Sequence, residues 1–180
     1  MNKLAPIRLS QLRLHAIFLL KDLQGKDPAR AGEAAIRFCS LPDYAGQTAA
    51  RLLRCATGIR LKEAYQVLAI EYGYKSWAEL KAAVVARDCL YRSSAVGFIH
   101  AWFSDYPQAL SYFLKNGGYL LAFWNDYVVC GHEYICRLGL DQHAAAWAAI
   151  GYNWADPASP EAFRALQDAA ARNYAERQSR

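Results

Sequence analysis

Apolar residues recur every three or four positions through the first half of the chain. This spacing is typical of helices that bury one face. In the first segment the apolar stripe consists of Leu9, Leu12, Ala16, Leu19 and Leu23. The pattern, interrupted by Gly and Pro, predicts five helices at Ile7–Leu23, Ala29–Cys39, Tyr44–Thr57, Leu61–Tyr72 and Ser76–Val84. Five helices with short connections predict a helical bundle over residues 1–90.

The pattern changes in the second half, where two short apolar and aromatic runs flank Asn125-Asp126. Such a dipeptide between two runs predicts a β-hairpin near 119–130, with strands at Tyr119–Trp124 and Tyr127–Cys130. A lone hairpin is marginally stable, so helices must cover one of its faces. Helices are predicted from Pro107, His132, His143 and Pro160 onward. The predicted fold is therefore mainly α, with the N-terminal bundle and a C-terminal α+β unit over residues 93–180.

The joint between the fourth and fifth helices carries a distinctive motif. Gly73 is suited to ending a helix, and Ser76 with Glu79 forms the S-x-x-E pattern of a capping box. The run from Gly73 to Leu80 reads GYKSWAEL. Residues 58–84 resemble a short helical segment, with the core Gly-aromatic-x-Ser-Trp-x-x-Leu, of bacterial glyoxalase-associated and ankyrin-associated proteins. The resemblance implies a bacterial origin and a structural corner, but no activity. The C-terminal stretch around GGYLLAFWNDYVVC is similar to uncharacterised bacterial proteins.

Composition places the chain among folded globular proteins. Of its 180 residues 54% are hydrophobic and 21% are charged. Its apolar runs fall short of the roughly 20 residues that a membrane-spanning helix needs, so no membrane partner is expected. The five cysteines are scattered without a pairing pattern, which indicates reduced thiols and a cytoplasmic location.

Charge is distributed unevenly between the two halves. Residues 1–90 carry 14 Lys and Arg against 8 Asp and Glu, a net of +6, and residues 91–180 carry 7 against 8, a net of −1. A basic half is typical of a protein with a polyanionic partner, although a solvated helical surface has the same composition. Candidate phosphate contacts in nucleic acid are Arg51, Arg54, Arg60, Lys62, Lys75 and Lys81.

An alternative interpretation of the fourth and fifth predicted helices is a DNA-reading helix–turn–helix. Ala69 and Gly73 fit its spacing, but Glu79 occupies the position expected to be apolar, and Leu80 comes one residue late. Few side chains on the fifth helix could read bases. The pattern favours a helical hairpin docked in the bundle over sequence-specific recognition.

Motifs for catalysis or metal binding are weak in this sequence. Cys130-x-His132-x3-Cys136 has residue types that suit zinc, but its spacing is unusual and a fourth ligand is not nearby. The four histidines are scattered, and nucleophile-elbow, zinc-protease and phosphate-loop motifs do not occur. We therefore expect a non-enzyme without catalytic residues, metal or cofactor.

Aromatic residues are concentrated in the second half, which holds four of the five tryptophans. Exposed Trp and Tyr are frequent hot spots of protein interfaces, whereas buried ones belong to the core. The candidate partner-binding residues are Trp102, Tyr106, Trp124 and Tyr127. The sequence thus favours a non-catalytic bacterial binding or regulatory protein, native or encoded by a mobile element, that acts on an unidentified protein partner. The alternative is a nucleic-acid-binding accessory that uses the basic half. The oligomeric state is left open.

Overall fold

The structure of the chain is a computed structural model that describes residues 7–178. It divides into two compact units, the first ending at Val84 and the second beginning at Val85. The change from one unit to the next falls inside a helix. The domain bounds predicted from the sequence, 1–90 and 93–180, stay predictions.

The first unit is built of helices packed around an apolar core. They are α1 (Leu9–Leu23), α2 (Pro28–Phe38), α3 (Ala49–Arg54), α4 (Leu61–Glu71) and α5 (Trp77–Asp88), whose last turn belongs to the second unit. All five apolar residues of the predicted α1 stripe are buried, and α1 packs on α2 and α4. A bidentate ion pair also joins α2 to α4, because Arg37 Nε and Nη2 donate to the Glu71 carboxylate at 2.7 and 2.8 Å.

The third helix is much shorter than the predicted Tyr44–Thr57. Gly46 has a φ of +77°, which interrupts helical geometry before α3 begins. Thr48 then caps α3, since its hydroxyl accepts a hydrogen bond from the backbone N–H of Arg51 at 3.3 Å. Short 3₁₀ turns at Pro42–Tyr44 and Ala56–Gly58 overlap the two ends of the predicted helix, and the residues between Tyr44 and Ala49 are not helical.

The corner between α4 and α5 is a compact structural joint. Gly73 has a φ of +81°, and the Ser76 hydroxyl accepts from the Glu79 N–H at 3.2 Å, as the capping motif predicts. The Glu79 carboxylate, however, accepts from the N–H of Lys75 at 3.0 Å, one residue before the expected partner. The Tyr65 and Trp77 rings stack with centroids 4.4 Å apart and fix the angle of the corner.

The second unit combines a small sheet with helices. Its elements after α5 are β1 (Ile99–Phe103), α6 (Tyr106–Asn116), β2 (Tyr119–Phe123), β3 (Asp126–Cys130), α7 (His132–Leu138), α8 (Ala144–Ala149) and α9 (Pro160–Gln178). The predicted hairpin is β2–β3, and β1 adds an antiparallel third strand in the order β1-β3-β2. This strand was not predicted, because five residues with two exposed side chains give a weak local signal.

The hairpin turn lies one residue earlier than the sequence indicated. Phe123 pairs with Asp126, so Trp124 and Asn125 form the turn instead of Asn125 and Asp126. Trp124 consequently adopts a φ of +53°, which is uncommon for a bulky residue. A slip of one residue would move every side chain of one strand to the opposite face. The observed register places Leu121 beside Val128, and both are fully buried.

Both faces of the sheet are covered by helices. On one face α6 packs against Leu120 and Val129. On the other, Phe123 lies against Tyr134 of α7, with ring centroids 6.1 Å apart. The chain is therefore mainly α with a small antiparallel β unit, as predicted. Within residues 7–178, every helix is too short or too polar to cross a bilayer.

Candidate functional site

Two of the four candidate aromatic residues, Tyr106 of α6 and Tyr127 of β3, are half-buried and pack against the core between α6 and the sheet. The rings of Tyr106 and Tyr127 are 5.3 Å apart and pack against the buried side chains of Leu120 and Val129. The Tyr106 hydroxyl also accepts a hydrogen bond from Asn153 Nδ2 at 2.9 Å. These contacts account for both side chains through the packing of the second unit itself.

Trp124 is held at the hairpin turn by a buried carboxylate. Its indole N–H donates to Asp88 Oδ1 at 3.4 Å, and the Arg87 guanidinium lies 5.9 Å from its ring. Asp88 is only 1% exposed, and its Oδ2 accepts a 2.6 Å hydrogen bond from the Tyr174 hydroxyl of α9. Asp88 thus connects α5, the hairpin turn and α9.

Trp102 is the most exposed of the four aromatic candidates. Its side chain on β1 is 47% exposed, although its indole N–H donates to Asp126 Oδ2 at 2.9 Å. Trp102 pairs with Val128 while Tyr127 pairs with Phe103, so Trp102 and Tyr127 lie on opposite faces of the sheet. The four residues therefore do not meet in one surface.

The six basic candidates are all exposed on the first unit. Lys62 lies 3.8 Å from Glu63, and the other five form no ion pair with any residue between 7 and 178. Arg60 directly precedes α4, whereas Lys75 follows its far end, and a helix of that length spans about 16 Å. The basic residues are available for phosphate groups, but they are spread over α3, α4, α5 and the residues that flank α4 instead of clustering at one end of a helix.

The Cys130, His132 and Cys136 side chains do not converge. The Cys130 thiol is buried and donates to the Tyr119 carbonyl at 3.7 Å, and burial raises its pKa to about 12. His132 Nδ1 shares a 3.2 Å hydrogen bond with the Tyr119 hydroxyl, while Cys136 is exposed. In the described part of the chain, His, Cys, Asp and Glu nowhere gather in a group of three that could hold a metal.

The reverse side of α1 carries an apolar surface that is not among the candidate sites predicted from the sequence. Leu14, Ile17 and Phe18 are 47, 46 and 48% exposed. At 3.6 residues per turn, the centre of these three lies about 180° around the helix from the centre of the buried stripe. We call these three residues the outward stripe. Their i, i+3, i+4 spacing was visible in the sequence once the buried stripe had been assigned.

The outward stripe lies among basic residues. Lys21 follows Ile17 and Phe18 by one turn and is exposed, and Arg13 is half-buried beside Leu14. A helix with apolar residues on both sides is usually covered on both sides.

Comparisons of the chain with protein-family models, with curated proteins and with solved structures give no match.

Proposed function

We propose that the chain is a non-catalytic bacterial protein-binding module and that the outward stripe of α1 is its contact surface. The carrying observation is that Leu14, Ile17 and Phe18 are about half exposed on the side of α1 that faces away from the core. Covering the exposed half of each would contribute about 1 kcal/mol, or about 3 kcal/mol together. A gain of this size is typical of the apolar centre of a protein interface, in which the polar rim supplies the remaining binding free energy.

The shape and charge of the surface indicate the chemistry of the partner. A helix face is convex, so it fits a groove on another protein better than it fits a small molecule. The residues of the stripe have the spacing of anchors that dock into an apolar groove. Because Arg13 and Lys21 flank the stripe and residues 1–90 carry a net charge of +6, the partner would present an apolar groove with an acidic rim.

Site-specific photo-crosslinking in cells tests this proposal. A photoreactive residue at Leu14 should give discrete protein adducts, and these adducts should disappear in the Ile17→Gln/Phe18→Gln double variant. Ile36 is the matched control, because it is an exposed apolar residue, 66% accessible, on α2 of the same unit. The double variant should keep its helical circular dichroism, since both side chains lie outside the core. If crosslinking at Leu14 resembles that at Ile36, the outward stripe is not a binding surface.

Nucleic-acid binding is a second candidate function, supported by the six exposed basic residues of the first unit, of which all but Lys62 form no ion pair with a residue between 7 and 178. It predicts that the chain binds duplex DNA or RNA and that its affinity falls steeply between 50 and 200 mM salt, as roughly expected for several phosphate contacts. Fluorescence anisotropy with labelled duplexes measures this fall. Unchanged binding by the Arg51→Ala/Arg54→Ala/Lys62→Ala triple variant would rule out these residues as the contacts.

A further inference from the structure

A polar cavity of about 340 Å³ opens in the second unit, where the ends of α7 and α9 meet the segment that follows α5. We call it the arginine pocket, because three arginines contribute to its wall. Its lining includes Arg92, Arg137, Gln142, Asn173, Glu176 and Arg177. The volume is within the range of sites for small metabolites.

Two of the guanidinium groups are held in place by backbone carbonyls. Arg177 donates from Nη1 to the Leu138 carbonyl at 3.2 Å and from Nη2 to the Cys89 carbonyl at 3.1 Å. Arg92 donates from Nη1 to the Arg137 carbonyl and from Nε to the Ser94 hydroxyl. Since a guanidinium has five N–H donors, each arginine keeps donors for a further acceptor. Their orientation is thus set before any ligand arrives.

Carboxylates do not neutralise these charges. Across residues 7–178, no Asp or Glu oxygen lies within ion-pair distance of Arg92 or Arg177. Burial lowers the pKa of Arg177, and the nearby positive charge of Arg92 lowers it further. Two like charges in a partly desolvated pocket repel each other, and a bound anion would relieve that repulsion. Glu176 lines the same pocket and supplies its negative charge.

We propose that the arginine pocket binds a small organic phosphate. Fixed guanidinium groups recognise phosphate oxygens through paired, charge-assisted hydrogen bonds. The cavity is larger than a phosphate ion needs, which leaves room for an organic moiety. Asn173 Nδ2 already donates to the carbonyls of Leu138 and Gly139. The side-chain oxygen of Asn173 and the Gln142 amide are available to hydroxyl groups of the organic moiety. This site does not depend on the outward stripe of α1.

Isothermal titration at constant ionic strength tests the proposal, with ribose 5-phosphate and inorganic phosphate as probes and ribose as the neutral control. Ribose 5-phosphate should bind saturably and more tightly than inorganic phosphate, and ribose should not bind. Arg92→Gln should weaken binding at least about ten-fold. Arg172→Gln is the matched control, because this exposed arginine on α9 is not part of the pocket lining, and it should leave the affinity unchanged.

Glu176→Gln gives a test that does not depend on a weakened fold. Removing this exposed negative charge should strengthen phosphate binding about two- to five-fold, since the anion then meets less repulsion. Absence of saturable binding by both phosphate probes would overturn the proposal. It would also be overturned if Glu176→Gln left the affinity unchanged or if Arg172→Gln weakened it as much as Arg92→Gln does.

Discussion

Asp88 should be one of the most sensitive positions in the second unit. Replacing it by Ala removes the acceptor for the Tyr174 hydroxyl at 2.6 Å and for the Trp124 indole at 3.4 Å. The first is a short bond to a carboxylate in a buried position, and such bonds contribute about 1.5–3 kcal/mol. The second is long and contributes less. With both hydrogen bonds lost, Asp88→Ala should lower the free energy of unfolding by about 3 kcal/mol and the Tm by about 6–12 °C.

Urea unfolding followed by circular dichroism measures this loss. Tyr174→Phe removes the shorter bond and should cost about 2 kcal/mol, and combined with Asp88→Ala it should add little, because the two variants delete the same interaction. Asp168→Ala, an exposed position on α9, should change stability by less than about 0.5 kcal/mol. If Asp88→Ala costs no more than Asp168→Ala does, the carboxylate does not connect these elements, and the account of Trp124 as an anchored residue is wrong.

Three further predictions concern protonation and packing. Burial raises the pKa of Cys130 from 9.0 to about 12, so the native state keeps a proton that the unfolded state loses; the free energy of unfolding should therefore fall by about 1.4 kcal/mol per pH unit above pH 9. Burial also raises the pKa of Cys89 to about 12, so urea titrations of Cys130→Ala should keep the slope that Cys89 contributes and be shallower than those of the wild type by about 1.4 kcal/mol per pH unit; equal slopes would contradict it. Gly118→Ala should lower the free energy of unfolding by more than about 2 kcal/mol. The reason is that Gly118 has a φ of +97° and that a Cβ there would lie 2.6 Å from the Cys130 carbonyl oxygen. Thermal unfolding measures the loss, and a Tm equal to that of the wild type would refute the strain. Trp77→Ala should lower the free energy of unfolding by about 2 kcal/mol, because the stack on Tyr65 is lost. Trp77→Phe should keep most of that stability. Equal losses in the two variants would mean that stacking does not hold the corner.

Helix periodicity carried the sequence predictions for the first unit. The five buried positions of α1 follow from spacing alone, because a helix that packs on one side must place its apolar residues three and four apart. The same logic identified the corner at Gly73 and Ser76, where conformational freedom and side-chain capping are local properties. Local rules were less successful for α3, since Gly46 ended helical geometry within a segment whose apolar spacing continued.

The candidate sites depended on contacts that connect distant parts of the chain. Trp124 looked like an exposed hairpin tip, and its anchor, Asp88, lies 36 residues earlier in the sequence. The arginine pocket brings together Arg92, Arg137 and Arg177 from three separate elements. Neither arrangement leaves a periodic signal, because hydrogen bonds between elements have no fixed sequence spacing.

By itself the sequence determined the fold class, the inward face of α1 and the α4–α5 corner, because these depend on residues within a few turns of one another. The tertiary structure decided the hairpin register, the third strand and the exposure of the aromatic candidates. Each of these depends on which other element supplies the opposite backbone or side chain. The tertiary structure also shows that the outward stripe of α1 is uncovered. Apolar residues gain free energy from burial only where another surface packs against them, and spacing along the chain does not indicate where that surface is.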